Sequence, residues 1–295
     1  MSQDIEQNPE TNELLSLRND AVLKLFYTRK ENEQLLRKFL KSALKLSDDS
    51  LSILDIKNSN LTKEDVQDKD YNVDIHLTSA TGELIIVEMQ KFDHAGFEDR
   101  MVAYNSRDYS SQLRRGEDYA KLKSTISLVI VDFNIFKDTD EFYEHIFLRR
   151  ENRKIFTNAQ QYIIIDLTKI PKEGTDPLHL WGRLFKVETE EELRMLMETS
   201  EEMREAGKKL LELSADKEAQ AIAQARKDAL WARNHMMACL QEETEERVRG
   251  EERIKAEAEK DELKEDIAKR MLAMGLSIED AAKAADLDYD IVCKF

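Results

Sequence analysis

Apolar and polar positions follow different periods along this chain, and the character of the pattern changes near residue 187. In the first part, Val22, Leu25, Phe26, Leu35, Leu36, Phe39, Leu40 and Leu44 recur at helical spacing and predict a helix over residues 20–46, interrupted near Arg29-Lys30. Runs rich in β-branched and aliphatic residues predict strands at 51–56, around Asp74, around Glu88, and at 126–136, 143–149 and 162–166. Residues 97–122 read as a helix, Pro171 and Pro177 bracket a loop, and a short helix follows at 178–185. Such an alternation predicts an α/β fold, a mixed sheet flanked by helices.

Beyond residue 187 the strand signal disappears. Residues 190–213 and 216–269 are rich in Glu, Ala, Lys, Arg and Leu, strong helix formers. The stretch 219–230, with Trp231 and Met236-Met237, has an apolar face to bury against a partner or the first domain. From 241 to 269 apolar residues are sparse (Val248, Ile254, Leu263, Ile267), which suits a solvated helix with i,i+4 ion pairs better than a coiled coil. Near the end, Gly275 predicts a helix stop, Ser277 a new cap with Asp280 at the capping-box position, and two short helices follow. This block resembles the helix-turn-helix endings of transposase-related proteins, but its second helix lacks the Arg and Lys of a DNA-reading helix. A knob for dimerisation or protein interaction is the other reading. The expected division is a polar arm at 1–14, an α/β domain at 15–187, a charged helical extension at 188–267 and a small helical end at 268–295.

The net charge of −16 opposes a nucleic-acid role, because phosphate binding depends on Lys and Arg. Its distribution weakens the objection: residues 1–185 carry 26 basic and 32 acidic side chains, a net −6, and residues 186–295 carry 19 and 29, a net −10. No apolar run approaches the roughly 20 residues needed to cross a membrane, and residues 1–13 lack a signal-peptide pattern. Cys239 and Cys293 are far apart and the five histidines lack ligand spacing, which argues against zinc and against a disulfide framework. A cytoplasmic location is expected.

Candidate chemistry centres on Asp74, Glu88 and Gln90. Strand alternation places Glu88 and Gln90 on one face and Val87 and Met89 on the other. A turn at Ser79-Ala80-Thr81-Gly82 would fold the two strands into a hairpin with Asp74 close to Glu88. Facing carboxylates repel unless a cation lies between them. Mg²⁺ takes such oxygen ligands and can activate water and stabilise phosphoryl charge. A buried polar cluster, or a pair of solvated strand-end carboxylates, has the same spacing. On the following helix Tyr104, Asp108 and Gln112 share a face flanked by Arg100 and Arg107, positioned either to bind phosphate near a metal or simply to face solvent.

Asp70-Tyr71-Asn72-Val73-Asp74-Ile75 and Gly82-Glu83-Leu84-Ile85-Ile86-Val87-Glu88-Met89-Gln90 resemble the central hairpin of the PD-(D/E)XK nuclease-family transposases, the recombination-promoting (Rpn) nucleases. Asn19-Asp20-Ala21-Val22-Leu23-Lys24-Leu25-Phe26 is similar to the family's opening helix. Phe97-Glu98-Asp99-Arg100, Tyr104, Arg107, Tyr109, Gln112-Leu113, Gly116 and Tyr119 follow in the family's order, then the strand ending in Asp132-Phe133. The likeness covers about residues 15–185 and implies a restriction-endonuclease-like mixed sheet. It further implies a DNA endonuclease with Mg²⁺ or Mn²⁺ as cofactor and Asp74 and Glu88 as metal ligands. Gln90 would stand where many related nucleases have lysine, Asp20 would be an auxiliary acid, and Gln112 a secondary site residue. Arg100, Arg107 and Tyr104 would contact DNA. From its position alone, Asp20 reads equally well as a helix N-cap.

Two other functions remain open. The domain could be an inactive nuclease-fold scaffold that binds proteins through its acidic helical tail, with the C-terminal helices also serving homo-oligomerisation. Or it could be a regulatory subunit that binds DNA through those helices.

Overall fold

The computed structural model describes residues 13–46, 55–57, 75–93 and 95–295. Asn19 begins the first helix, α1 (Asp20–Thr28): its Oδ1 accepts from the N–H groups of Ala21 at 3.1 Å and Val22 at 3.4 Å. Two of the donors that a helix start leaves open are thereby satisfied. A 3₁₀ turn at Lys30–Asn32 separates α1 from α2 (Glu33–Leu44), matching the interruption that Arg29-Lys30 predicts.

The strands are β1 (Asp55–Lys57), β2 (Ile75–Thr78), β3 (Leu84–Gln90), β4 (Thr125–Val131), β5 (Tyr143–Arg149) and β6 (Ile155–Asp166). They form one mixed sheet in the order β1-β2-β3-β4-β6-β5. β1, β2 and β3 pair antiparallel, β3–β4 and β4–β6 are parallel, and β5 closes the far edge antiparallel to β6. Helix α3 (Phe97–Ser111) makes the crossover from β3 to β4 that a parallel pair requires.

The two faces of the sheet bury different cores, as side-chain alternation demands. Ile75, Leu77, Ile85, Val87, Met89, Leu128, Ile130, Ile163 and Ile165 join the main core. That core includes side chains of α1, α2, α4 (Pro177–Lys186), α5 (Glu190–Met197) and α6 (Glu201–Ser214). At its centre the Phe39 ring lies 5.4 Å from Tyr27, 5.6 Å from Trp181 and 5.2 Å from Phe185. On the other face, Val129, Val131, Tyr162 and Ile164 pack against Phe97 and Met101 of α3.

Several boundaries differ from expectation. α3 ends at Ser111 rather than 122: the Ser110 and Ser111 hydroxyls donate back to the carbonyls of Arg107 and Asp108, both at 2.9 Å, and Gly116 takes φ +90°. β4 stops at Val131 rather than 136: Asp132 N makes the last bond to β3, at Gln90 O, 2.9 Å away, while the Asp132 carboxylate turns to Arg18. β6 begins at Ile155 rather than 162, since it pairs with β5 well before it enters the core. Of the strand expected at 51–56, residues 51–54 lie outside the described residues.

Two compact units make up the chain, residues 1–230 and 231–295. α5, α6 and the first turns of α7 (Lys217–Ala273) belong to the first, because Leu193, Leu196, Met203, Leu210, Leu213, Ala219 and Ala223 lie in the same core as the sheet. In the second unit, Ala268 packs with α8 (Ile278–Ala285) and α9 (Tyr289–Val292) through Ala281, Ala282, Ala285 and Val292. Gly275 takes φ +87° before them, and Ser277 Oγ accepts from the N–H of Asp280 at 3.1 Å. Among the described residues, no helix is long and apolar enough to cross a membrane.

Candidate active site

Glu88 and Gln90 lie on the face of β3 that α3 covers, next to Val129 and Val131 in the parallel register. The Glu88 side chain is 17% exposed. Gln90 Nε2 donates to Glu88 Oε1 at 3.0 Å, and Arg100 Nη2 stands 4.0 Å from the same oxygen. Burial raises the Glu88 pKa above its ordinary value, Arg100 and the Gln90 amide pull it down, and the negative charge of Asp20 raises it. Arg100 Nη2 is buried and has no hydrogen-bond partner, an arrangement that proteins normally avoid.

A shallow, solvent-open hollow adjoins Glu88, lined by Ile86, Met101, Tyr104, Arg107, Asp108, Ser127 and Val129. The Arg107 guanidinium lies 4.9 Å from the centre of the Tyr104 ring, and its Nε is 3.6 Å from Asp108. Two of the three expected nucleic-acid contacts on this helix, Tyr104 and Arg107, therefore border the hollow, and the third, Arg100, sits beside Glu88.

Asp20 is the first residue of α1, while the cap is Asn19; the capping role that position allowed to Asp20 falls to its neighbour. The Asp20 carboxylate accepts from Ala21 N through Oδ1 at 2.9 Å and from the guanidinium of Arg226 of α7. Gln112 is not brought to Glu88. Its Nε2 donates to Lys123 O at 3.0 Å and Thr125 Oγ1 at 2.9 Å, and its Oε1 accepts from Lys123 N at 3.0 Å. Thr125 pairs with Leu84, four residues before Glu88, so this clamp lies about 13 Å along the strand from the carboxylate. Asp74 lies outside the described residues.

Sequence reading missed two partners. Arg226 carries no signal of its own in a helix rich in charge. Arg18 bonds Asp132 at 3.1 Å and also Glu188, and Asp132 N donates to Gln90 O at 2.9 Å, so this charged cluster borders the strand end that carries Gln90.

The donors fit a hard cation in part. A carboxylate and an amide oxygen are ligands that Mg²⁺ accepts, with water and phosphate oxygens completing its shell. Among the described residues no group of three His, Cys, Asp or Glu side chains converges as a full ligand set. A family model, PD-(D/E)XK nuclease family transposase, matches residues 17–240. No curated protein and no solved structure matches the chain.

Proposed function

The chain belongs to the PD-(D/E)XK nuclease family transposases, and from that membership we propose a DNA endonuclease of the recombination-promoting type that uses Mg²⁺ or Mn²⁺ to hydrolyse phosphodiester bonds. Asp74 and Glu88 would hold the ion. The hairpin that the sequence predicts is what would bring the two acids together, and its described strands β2 and β3 do pair antiparallel. A divalent ion held there would polarise a phosphoryl oxygen and make bound water a better nucleophile. Gln90, fixed to Glu88 through its Nε2, would orient that water through its amide oxygen. Arg100 would donate its unpartnered Nη2 to a phosphate oxygen, a charge-assisted bond, and Arg107 and Tyr104 would hold the strand at the hollow. Asp20 would act on Glu88 through its charge.

The observation that supports this reading most is the half-buried Glu88 carboxylate, bonded to Gln90 beside a guanidinium N–H with no partner. Plasmid cleavage by the wild type, Asp74→Ala and Glu88→Gln, each with Mg²⁺ and with EDTA, tests it. Cutting is expected only with metal and with both acids present. Variants that cut as fast as the wild type, contaminating nuclease excluded, would overturn the proposal.

One observation favours an inactive scaffold instead: Arg226 already neutralises Asp20 within the fold. That reading predicts no cleavage and no effect of metal on stability.

A further inference from the structure

The β5–β6 hairpin turns through Arg149-Arg150-Glu151-Asn152-Arg153-Lys154, four cations against one carboxylate in a chain of net charge −16. Every residue from Leu148 to Phe156 is exposed. No carboxylate pairs with any of the four cations among the described residues. Apolar groups share the exposure, with Phe156 at 72% and Ile155 at 42%. Cations without counter-charges beside uncovered apolar side chains are a surface made for a partner that is both anionic and ring-bearing.

The tip is built, not loose. Arg150 N donates to Lys154 O at 2.9 Å and Arg153 N to Arg150 O at 2.8 Å, which holds Arg153 at φ +63°, where residues other than glycine are uncommon. Arg149 Nη1 closes the turn on Arg153 O at 2.9 Å. Below the tip the ladder breaks: Phe147 pairs with Gln161 but Leu148 with Thr157, so β6 bulges and the ribbon beyond is set off from the sheet. The bulge is anchored where Ser124 Oγ donates to Asn158 O at 2.6 Å and Gln161 Nε2 donates to Ser124 Oγ at 2.9 Å.

Ser124 also precedes β4 at the end where Gln112 clamps Lys123. α3 thus runs from Arg100, beside Glu88, towards the base of the hairpin, with Arg107 along it and the exposed Arg114 and Arg115 just after it. We infer that the β5–β6 hairpin is a DNA-binding arm whose tip cations hold backbone phosphates while Phe156 offers its ring to a base. Charges are screened over about 8 Å at physiological salt, so the clustered tip cations act on a phosphate mainly through their own local field. A two-stranded ribbon also has the width of a DNA groove. The inference rests on the nuclease reading for its substrate, but binding is measured without cleavage.

The test uses the full chain in EDTA with a labelled DNA duplex and a labelled single strand, followed by fluorescence anisotropy across a salt series. Arg150→Gln, Arg153→Asn and Lys154→Gln are combined, leaving Arg149 to close the turn; asparagine tolerates the left-handed backbone at 153. Loss of three phosphate contacts should lower the slope of log affinity against log salt by about 2–3 on duplex and weaken binding at least roughly tenfold at low salt. Neutralising Arg247, Arg249 and Arg253 removes the same charge elsewhere and should change little. Phe156→Ser should weaken single-strand binding by roughly fivefold or more with the salt slope unchanged. An unchanged slope in the triple variant, an equal loss in the control, or no DNA binding by the wild type overturns the arm; an unaffected Phe156→Ser overturns its stacking role. A protein that binds through the arm but never cuts would sink the cleavage reading alone.

Discussion

Arg226 holds Asp20 from more than two hundred residues away in the chain: its Nε donates to Oδ1 at 2.9 Å and Oδ2 at 3.0 Å, and its Nη2 to Oδ2 at 2.6 Å. The two side chains are 12% and 18% exposed, so the fork is shielded from water. Asn19 Nδ2 reinforces the junction by donating to Ala223 O at 3.0 Å. The first turn of α1, which carries Asp20, is therefore fixed by α7. Arg226→Ala strands a poorly hydrated carboxylate and should cost about 1–3 kcal/mol in urea unfolding. Adding Asp20→Asn should recover part of that loss, so the double-mutant cycle shows coupling; additive losses would mean that the fork carries no net energy.

Metal should stabilise the folded chain if Glu88 is a ligand. At a hundredfold excess of Mg²⁺ over its dissociation constant the gain is about 2.7 kcal/mol. Thermal melts should show a rise in Tm with Mg²⁺ for the wild type and none for Glu88→Gln, which keeps the shape of the side chain and removes its charge.

Gln112 should behave as a clamp. Gln112→Ala removes three hydrogen bonds at a partly exposed strand start and should cost about 1–2 kcal/mol in a thermal or urea melt. Any cleavage by the folded variant should match the wild type. A large drop in activity at unchanged stability would return Gln112 to the site.

Glu202 should give a pH signature. Burial raises its pKa, against the pull of Lys38 and the Trp181 indole N–H. A carboxyl raised in the fold binds more proton there than when unfolded, so its contribution is complete below the ordinary value near 4.5 and is lost as pH rises through the raised one. Glu202→Gln cannot ionise and should be more stable than the wild type near neutral pH, with the difference shrinking on acidification. Melts across that range check the sign.

The aromatic centre should be the most sensitive part of the core. Phe39 is fully buried among Tyr27, Trp181 and Phe185. Phe39→Ala should cost about 3–5 kcal/mol in urea unfolding.

Much of the fold was legible because periodicity is local. Helical spacing from Val22 to Leu44 located α1, α2 and the break between them, and the run from Leu84 to Gln90 located β3 and the face shared by Glu88 and Gln90. Element ends were less legible. Ser110 and Ser111 bond carbonyls of the last turn of α3, a local bond that serines also make inside helices, and Asp132 meets Arg18, whose place depends on the surrounding fold.

By itself the sequence determined the α/β class, the family and the residue types able to hold a hard cation, because each depends on composition and spacing along a few turns or strands. Tertiary structure alone decided which polar groups meet: Arg226 with Asp20, Arg18 with Asp132, Arg100 with Glu88, and Gln112 with Lys123 rather than with Glu88. Ion pairs and clamps join segments far apart in the chain, and Arg, Asp and Gln carry no periodic signal that would name their partners. The projecting hairpin belongs with them, since a cationic turn looks the same in sequence whether it folds back onto the protein or stands clear of it.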